Sequence, residues 1–558
     1  MADVIHKKDK GSSIMVVVSP LRSLREDQVR ALKKLNIPAV CVTDTHDDCL
    51  IQKIINGEFT HIYGSPECFL SSTWRGILST RRFKDSLVCV AVDEAHCISQ
   101  WGLPGAGNKK VLFRQWYGNL CEMRSLISDH VHQIVVIATA TKQTRHAIFD
   151  VLKLSKQCVI VTESPNRSNI FYCFQYFNKR LPLDLLFDDI IKEIQINDVT
   201  AKRVIIYCQT RKQCGILYKM FEVSLGSKFY KGSSPKPNRH LVEMYHDGTP
   251  SSVKKHISKN LSKPDGHIRV LIATIAFGMG VNCKNVQSII HFGPSKSIEC
   301  YVQESGRAGR DGSRSNSIVL YHGMLLSHCS QEMKELVLDE CRRKVLMKAF
   351  GYDCQELQPK HNCCDNCVKV CQCLECPSHV GFQVPGDEDS CSRHTGKIRS
   401  VTDADRLALK DQLKQYHDAI LKEHARVMSN TVSIPSAIIE FGSLQMKQIL
   451  ETCNKIFSLG DVTSHVDVWR KCQAIGILKV INNVFGDIGD IDEVSQLEHI
   501  EMDEDCPSIW NETVEESSFL SFGDSQDFEV MESECTLESE ETAHNSSSFL
   551  FNLTNAIK

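Results

Sequence analysis

The sequence has no apolar run approaching the about 20 residues that a helix needs to cross a membrane. Its first residues, Met1 to Lys10, are polar and lack the apolar core of a secretory signal. Basic residues almost vanish from one end: Asp487 to Lys558 holds 20 Asp and Glu and a single Lys. The formal charge of −3 therefore hides a body of +16, with 64 Lys and Arg against 48 Asp and Glu. Such a body suits a partner that carries phosphates. Cysteine, by contrast, is plentiful at 26 residues. Most lie singly in apolar settings such as Val88-Cys89-Val90 and read as small buried hydrophobes in a reducing compartment. The exception is a cluster between Cys341 and Cys391. The length of 558 residues has room for about three or four domains.

The apolar run Leu87-Val88-Cys89-Val90-Ala91-Val92 ends abruptly in Asp93-Glu94-Ala95-His96. This is the pattern of a buried parallel strand delivering two acids to the carboxyl edge of an α/β sheet. There one carboxylate can hold Mg²⁺ and the other can position or deprotonate a water. An acid pair alone is common in solvated loops. The tetrad followed by Cys97-Ile98-Ser99-Gln100-Trp101 is far more specific. It resembles the Walker B segment and aromatic-rich loop of RecQ-family DNA helicases.

Other segments resemble the family's motifs, in order. Ile14 to Val18 reads as a buried strand entering Ser19-Pro20-Leu21, a strand-to-helix turn able to bind a phosphodiester, similar to motif Ia. A strand around Ala39 to Val42 and a helix over Asp47 to Ile55 follow, then His61 to Glu67, where Ser65 falls in what resembles a second single-strand contact. Gln100, Trp101, Phe113, Arg114 and Tyr117 fit the aromatic-rich loop, although Leu103 to Leu112 makes it longer than the family spacing. Aromatics with Arg can stack on splayed bases. Val135 to Thr141 reads as a buried strand ending in hydroxyls, similar to motif III and including Thr139. Arg203 to Arg211, with Gln209 and Arg211, resembles motif IV; Tyr245-His246-Asp247-Gly248 reads as a tight turn after a strand. Arg269 to Asn282, with Thr274 and Gly280, resembles motif V. Tyr301 to Gly312 resembles motif VI, with Gln303 upstream of Arg307 and Arg310 on one helical face.

The resemblance implies an α/β fold of two RecA-like parallel-sheet lobes, at 1–160 and 161–325, facing each other across a nucleotide cleft. It implies an ATP-dependent 3′–5′ DNA helicase of the nucleus, acting on single-stranded and branched DNA in repair, recombination or replication. Asp93 would hold Mg²⁺, Glu94 would orient water with His96 and Gln303 beside it, Arg310 would be the arginine finger, and Arg307 would be a second triphosphate contact. Thr139 and Gly280 would complete the ATP-binding set. Ser19, Pro20, Ser65, Gln100, Trp101, Phe113, Arg114, Gln209, Arg211 and Thr274 would face DNA. A complete motor also needs a Gly-rich loop ending in Gly-Lys-Ser/Thr, and none occurs; Gly396-Lys397-Ile398 has neither the glycines nor the strand. The first lobe is therefore expected to be incomplete. Either this is a partial or isoform chain, or it is a degenerate motor that binds DNA without turnover.

The string Cys341-Arg342-Arg343, Phe350-Gly351, Cys364-Asp365-Asn366-Cys367 resembles the family's zinc-binding subdomain, placed at 326–376. Cys341, Cys364 and Cys367 would bind Zn²⁺, with Cys354 preferred over Cys363 as fourth ligand because adjacent thiols rarely share one ion. Cys371, Cys373 and Cys376 form a second cluster that could bind another metal, with free thiols the favoured reading. A linker at 377–400 leads to a small mainly helical domain at 401–486, for DNA or for partner packing. The acidic segment 487–558 is expected to be disordered. It would dock protein partners or shield the basic body, and the scaffold role is a third, less favoured reading.

Overall fold

A computed structural model describes residues 13–43, 48–103, 114–178, 181–232, 239–277, 283–326, 329–337, 340–354, 357–373, 398–427, 441–468 and 471–489. Phe113, Gly280, Cys376 and the acidic segment beyond 489 lie outside them.

The first lobe is a five-stranded sheet: β1 (Ile14–Val18), β2 (Ala39–Cys41), β3 (His61–Gly64), β4 (Leu87–Val92) and β5 (His132–Val135), in the order β2-β3-β1-β4-β5. Every neighbouring pair is parallel. Strands buried on both faces can be apolar without alternation, which is why β1 and β4 read as continuous Val-rich runs. Their side chains join Phe69, Trp74 and Tyr117 in one core.

The second lobe has six parallel strands: β6 (Ile170–Tyr176), β7 (Arg203–Cys208), β8 (Val242–Tyr245), β9 (Val270–Ala273), β10 (Val286–Phe292) and β11 (Ser315–Tyr321), in the order β6-β11-β10-β7-β9-β8. Both lobes are RecA-like parallel sheets with helices on their faces, as the sequence leads one to expect.

One strand differs from the reading. The run Val135 to Thr141 is not a buried strand; β5 starts three residues earlier and ends at Val135. Among the described residues β5 pairs only with β4. One of its faces is uncovered, leaving Ile134 36% and Val136 44% exposed. Thr141 instead caps the next helix, Lys142–Leu152, accepting from Thr144 N at 3.2 Å.

The cysteine-rich segment packs on β6, the edge of the second sheet. Buried Arg343 donates to Asn166 Oδ1, Arg167 O and Ile170 O at 2.6, 2.9 and 2.5 Å and lies over the Tyr172 ring. Arg342 forms a bidentate pair with Asp365 at 3.0 and 3.1 Å, and Asp365 accepts from Phe174 N. Further on, the helices Asp403–Val427, Ser443–Thr452, Leu459–His465 and Lys471–Phe485 enclose their own core around Leu413, Ile449 and Ile477. Arg399 ties its two ends together, pairing with Asp487 between the rings of Phe457 and Phe485.

Candidate active site and metal centre

The turn after β4 places the acid pair. Asp93 N donates to Val18 O at 2.8 Å, and Ala95 N donates to Val136 O at 3.1 Å, so both neighbouring strands hold the turn. Glu94 sits at φ +51°, a left-handed conformation that turns the chain sharply off the sheet. Asp93 accepts from Glu94 N and from Gln28 Nε2, both at 3.0 Å. Gln28 lies on the helix Arg22–Lys34 that follows β1; sequence reasoning missed it because its partner is 65 residues away. Gln28 Oε1 and Ser19 Oγ are buried with no hydrogen-bond partner among the described residues.

Burial, then the Asp93 charge, pushes the Glu94 carboxyl up to about 7, with Arg307 of the second lobe partly opposing them. His96 is buried against Glu94 Oε2 at 3.3 Å, and desolvation pushes it down to about 4. His96 is therefore a neutral imidazole near neutral pH.

The second lobe contributes arginines from a turn, not from a helical face. The helix Ile298–Ser305 stops before them, and Gly306, Gly309 (φ +53°) and Gly312 (φ +84°) break it. Arg307 is buried and lies 5.1 Å over the Phe277 ring, whereas Arg310 is exposed. Arg167 and Asn169 hold the turn by donating to Gly309 O at 2.6 and 2.9 Å. Neither was found from sequence, where Arg167-Ser168-Asn169 looks like an ordinary polar loop. Gln303 is half-buried on the same helix as Glu299. Glu299 Oε1 accepts from Thr141 N at 2.9 Å and Thr144 Oγ1 at 2.5 Å, a direct link between the lobes. Thr139 is half-buried just upstream.

A carboxylate pair on one sheet edge, guanidinium groups on the other and two unsatisfied buried oxygens between helix and strand fit a hard cation and a polyanion.

The residues expected to face DNA divide. Arg211 is exposed and pairs with Asp247; Ser19 and Pro20 sit at the carboxyl end of β1. Trp101 and Arg114 point inward instead. Trp101 is part of the lobe core, edge-on to Tyr117. Arg114 makes a bidentate pair with Glu67 at 2.8 and 2.6 Å and donates to Pro20 O at 2.8 Å. Burial pushes Glu67 up, but Arg114 more than offsets it and its carboxyl stays below the ordinary range. Ser65 spends its hydroxyl capping the helix Pro66–Phe69. Gln209 donates to Pro294 O and Leu325 O, both at 3.0 Å. Thr274 is buried, its N–H donating to Tyr245 O. Gln100 is half-buried one residue before Trp101.

The metal centre departs from the expected set in one ligand. Cys341, Cys363, Cys364 and Cys367 converge, with Cys341 and Cys363 sulfurs 3.6 Å apart. Cys354 lies elsewhere, accepting from Asn166 at 3.6 Å. Adjacent thiols do meet here because the backbone turns between them: Cys363 is helical and Cys364 extended. Hydrogen bonds from Cys363 and Cys364 pull Cys341 well below the ordinary thiol range, and the same contact with Cys341 pushes Cys363 far up. A thiol set sharing protons in this way suits a thiolate-binding cation such as Zn²⁺.

Two sheets with acids on one carboxyl edge and arginines on the other give the two-lobed RecA-like arrangement of the helicase class. Residues 1–146 match the DEAD/DEAH box helicase family, and residues 186–312 match the helicase conserved C-terminal domain. Within that class its curated relatives include RecQ-family DNA helicases. The chain is 30% identical to the ATP-dependent DNA helicase Q-like 2 of Arabidopsis thaliana, over 63% of this chain and 49% of that one. It is also 30% identical to the ATP-dependent DNA helicase RecQ of Pasteurella multocida, over 64% of this chain and 54% of that one. The chain thus spans about half the length of the curated relatives it matches. A DNA- and AMPPNP-bound structure of the helicase MrfA overlaps 57% of this chain and 44% of its own, with a TM-score of 0.45 and 15% identity.

Proposed function

We propose that this chain is a form of a RecQ-like, ATP-dependent 3′–5′ DNA helicase of the nucleus, acting on single-stranded and branched DNA in repair or recombination. The observation that carries this reading is the acid pair Asp93-Glu94 at the edge of one lobe, held to the arginine-bearing lobe where Thr141 N and Thr144 Oγ1 donate to Glu299 Oε1. Bound Mg²⁺–ATP would supply the phosphoryl group whose transfer drives movement. Asp93, aligned by Gln28 and the Glu94 N–H, would hold the cation. Glu94, with an affinity for protons matched to neutral pH, would orient and deprotonate water. Arg307 and Arg310 would stabilise charge on the phosphoryl oxygens. Glu299 would bring the lobes together so that these groups meet.

A second reading is favoured by one observation: no Gly-Lys-Ser/Thr loop occurs in these 558 residues. Phosphoryl transfer depends on positioning and electrostatics, so a motor without that loop would bind DNA and turn over poorly. ATP hydrolysis by this chain, with and without single-stranded DNA, decides between them. DNA-stimulated turnover that falls by at least about 100-fold in Glu94→Gln supports the motor. Salt-dependent DNA binding without turnover supports the binder.

A further inference from the structure

Beside the four-thiol centre lies a separate set of donors. His361 is buried on the single turn Lys360–Asn362, and Cys371 and Cys373 are half-buried on the irregular chain just after the helix Asp365–Lys369. His361 Nδ1 is 3.0 Å from Cys373 Sγ and 3.7 Å from Cys371 Sγ; the two sulfurs are 3.6 Å apart. At that distance the sulfurs are not bonded to each other. A tetrahedral ion with Zn–S of about 2.3 Å and Zn–N of about 2.0 Å holds sulfur pairs about 3.8 Å apart and sulfur–nitrogen pairs about 3.5 Å apart. The triangle has nearly those edges. The chain leaving the helix turns at Cys371, whose N–H donates to Val368 O at 3.1 Å, and brings both thiols to the same imidazole.

We propose that His361, Cys371 and Cys373 form a second site for a thiolate- and imidazole-binding divalent cation such as Zn²⁺. It uses none of the atoms of the four-thiol centre, yet His361 is only two residues from Cys363, so one short turn feeds both sites. The second site clamps the chain leaving the helix Asp365–Lys369 back onto that turn. Its three protein donors leave one coordination position to water, so its ion exchanges faster than one closed in by four cysteines.

The test uses the full chain, purified under reducing conditions, equilibrated with Zn²⁺ and desalted. Metal analysis is expected to give two Zn²⁺ per chain, one released to a chromophoric chelator at least about tenfold faster than the other. The double variant Cys371→Ser/Cys373→Ser, and independently His361→Gln, should lose only the fast equivalent. Cys364→Ser should lose the slow one. In the Co²⁺-loaded chain the thiolate-to-metal absorption should fall by about one third in the double variant, which removes two of six thiolates. One Zn²⁺ per wild-type chain overturns the proposal. So does retention of both equivalents in His361→Gln, which keeps every thiol and guards against misfolding of the double variant.

Discussion

At the scale of single residues, burial decides which acids hold a proton. Glu94 and Glu243 are both pushed up to about 7, but only Glu94 has a neighbouring carboxylate and an arginine to explain a role at a cleft. Glu243 is buried on β8 with His240 Nδ1 3.5 Å away, and desolvation alone raises it. Below an unfolded value of about 4.5, both states of Glu243 are protonated and it has no effect on stability. As pH rises from there to about 7, only the unfolded chain gives up the proton, so stability falls, and above about 7 the penalty is constant. Glu243→Gln should therefore be more stable than wild type by about 1–3 kcal/mol at pH 8 and indistinguishable from it at pH 4. Urea unfolding at the two pH values measures this, and an equal gain at both would rule out the titration.

At the scale of elements, what was legible in the sequence was whatever depends on neighbours in the chain. The Val-rich runs of β1 and β4 and the acids directly after β4 carry local signatures, whereas the segment after Ser305 was read as a helical face and is a glycine-broken turn. Gln28, Arg167, Asn169, Glu299 and His361 carry no such signature: each acts on a group that is close in space and distant in sequence. Cys354 was favoured over Cys363 by a local rule that a backbone turn overrides. The edge position of β5 was equally invisible, since Val135 to Ile137 are as apolar as a buried strand. Two element-level expectations follow from geometry. A Cβ at Gly309 would meet Asn169 Nδ2 and Ser313 O at 2.5 Å, in addition to its positive φ. Gly309→Ala should displace the arginine turn and lower stability by about 1–3 kcal/mol, read as a fall in melting temperature together with lost DNA-stimulated turnover if the motor runs. The half-covered β5 exposes Ile134 and Val136 beside backbone that no strand pairs among the described residues, which is a template for association. Ile134→Lys should reduce concentration-dependent light scattering without lowering the melting temperature by more than about 2 °C.

At the scale of the whole molecule, charge is divided between a basic body and an acidic end, and the two would act on a phosphate backbone in opposite senses. The body of +16 attracts a phosphate backbone, while the 20 acids from Asp487 onward compete for the same surfaces. Salt screens the competition of the carboxylates for the basic surface, so removal of the acids should act most at low ionic strength. A chain ending at Gly489 keeps Asp487 and its pairing with Arg399, and loses 19 of the 20 acids. It should bind single-stranded DNA several-fold more tightly at about 50 mM salt, with a steeper salt slope, and should match the full chain near about 300 mM, where the screening length is under 10 Å. Fluorescence anisotropy with a labelled oligonucleotide across that range gives both the affinity and the slope. If the two chains bind equally at low salt, the acids do not shield the body, and docking of a basic partner becomes the better account of why they are there.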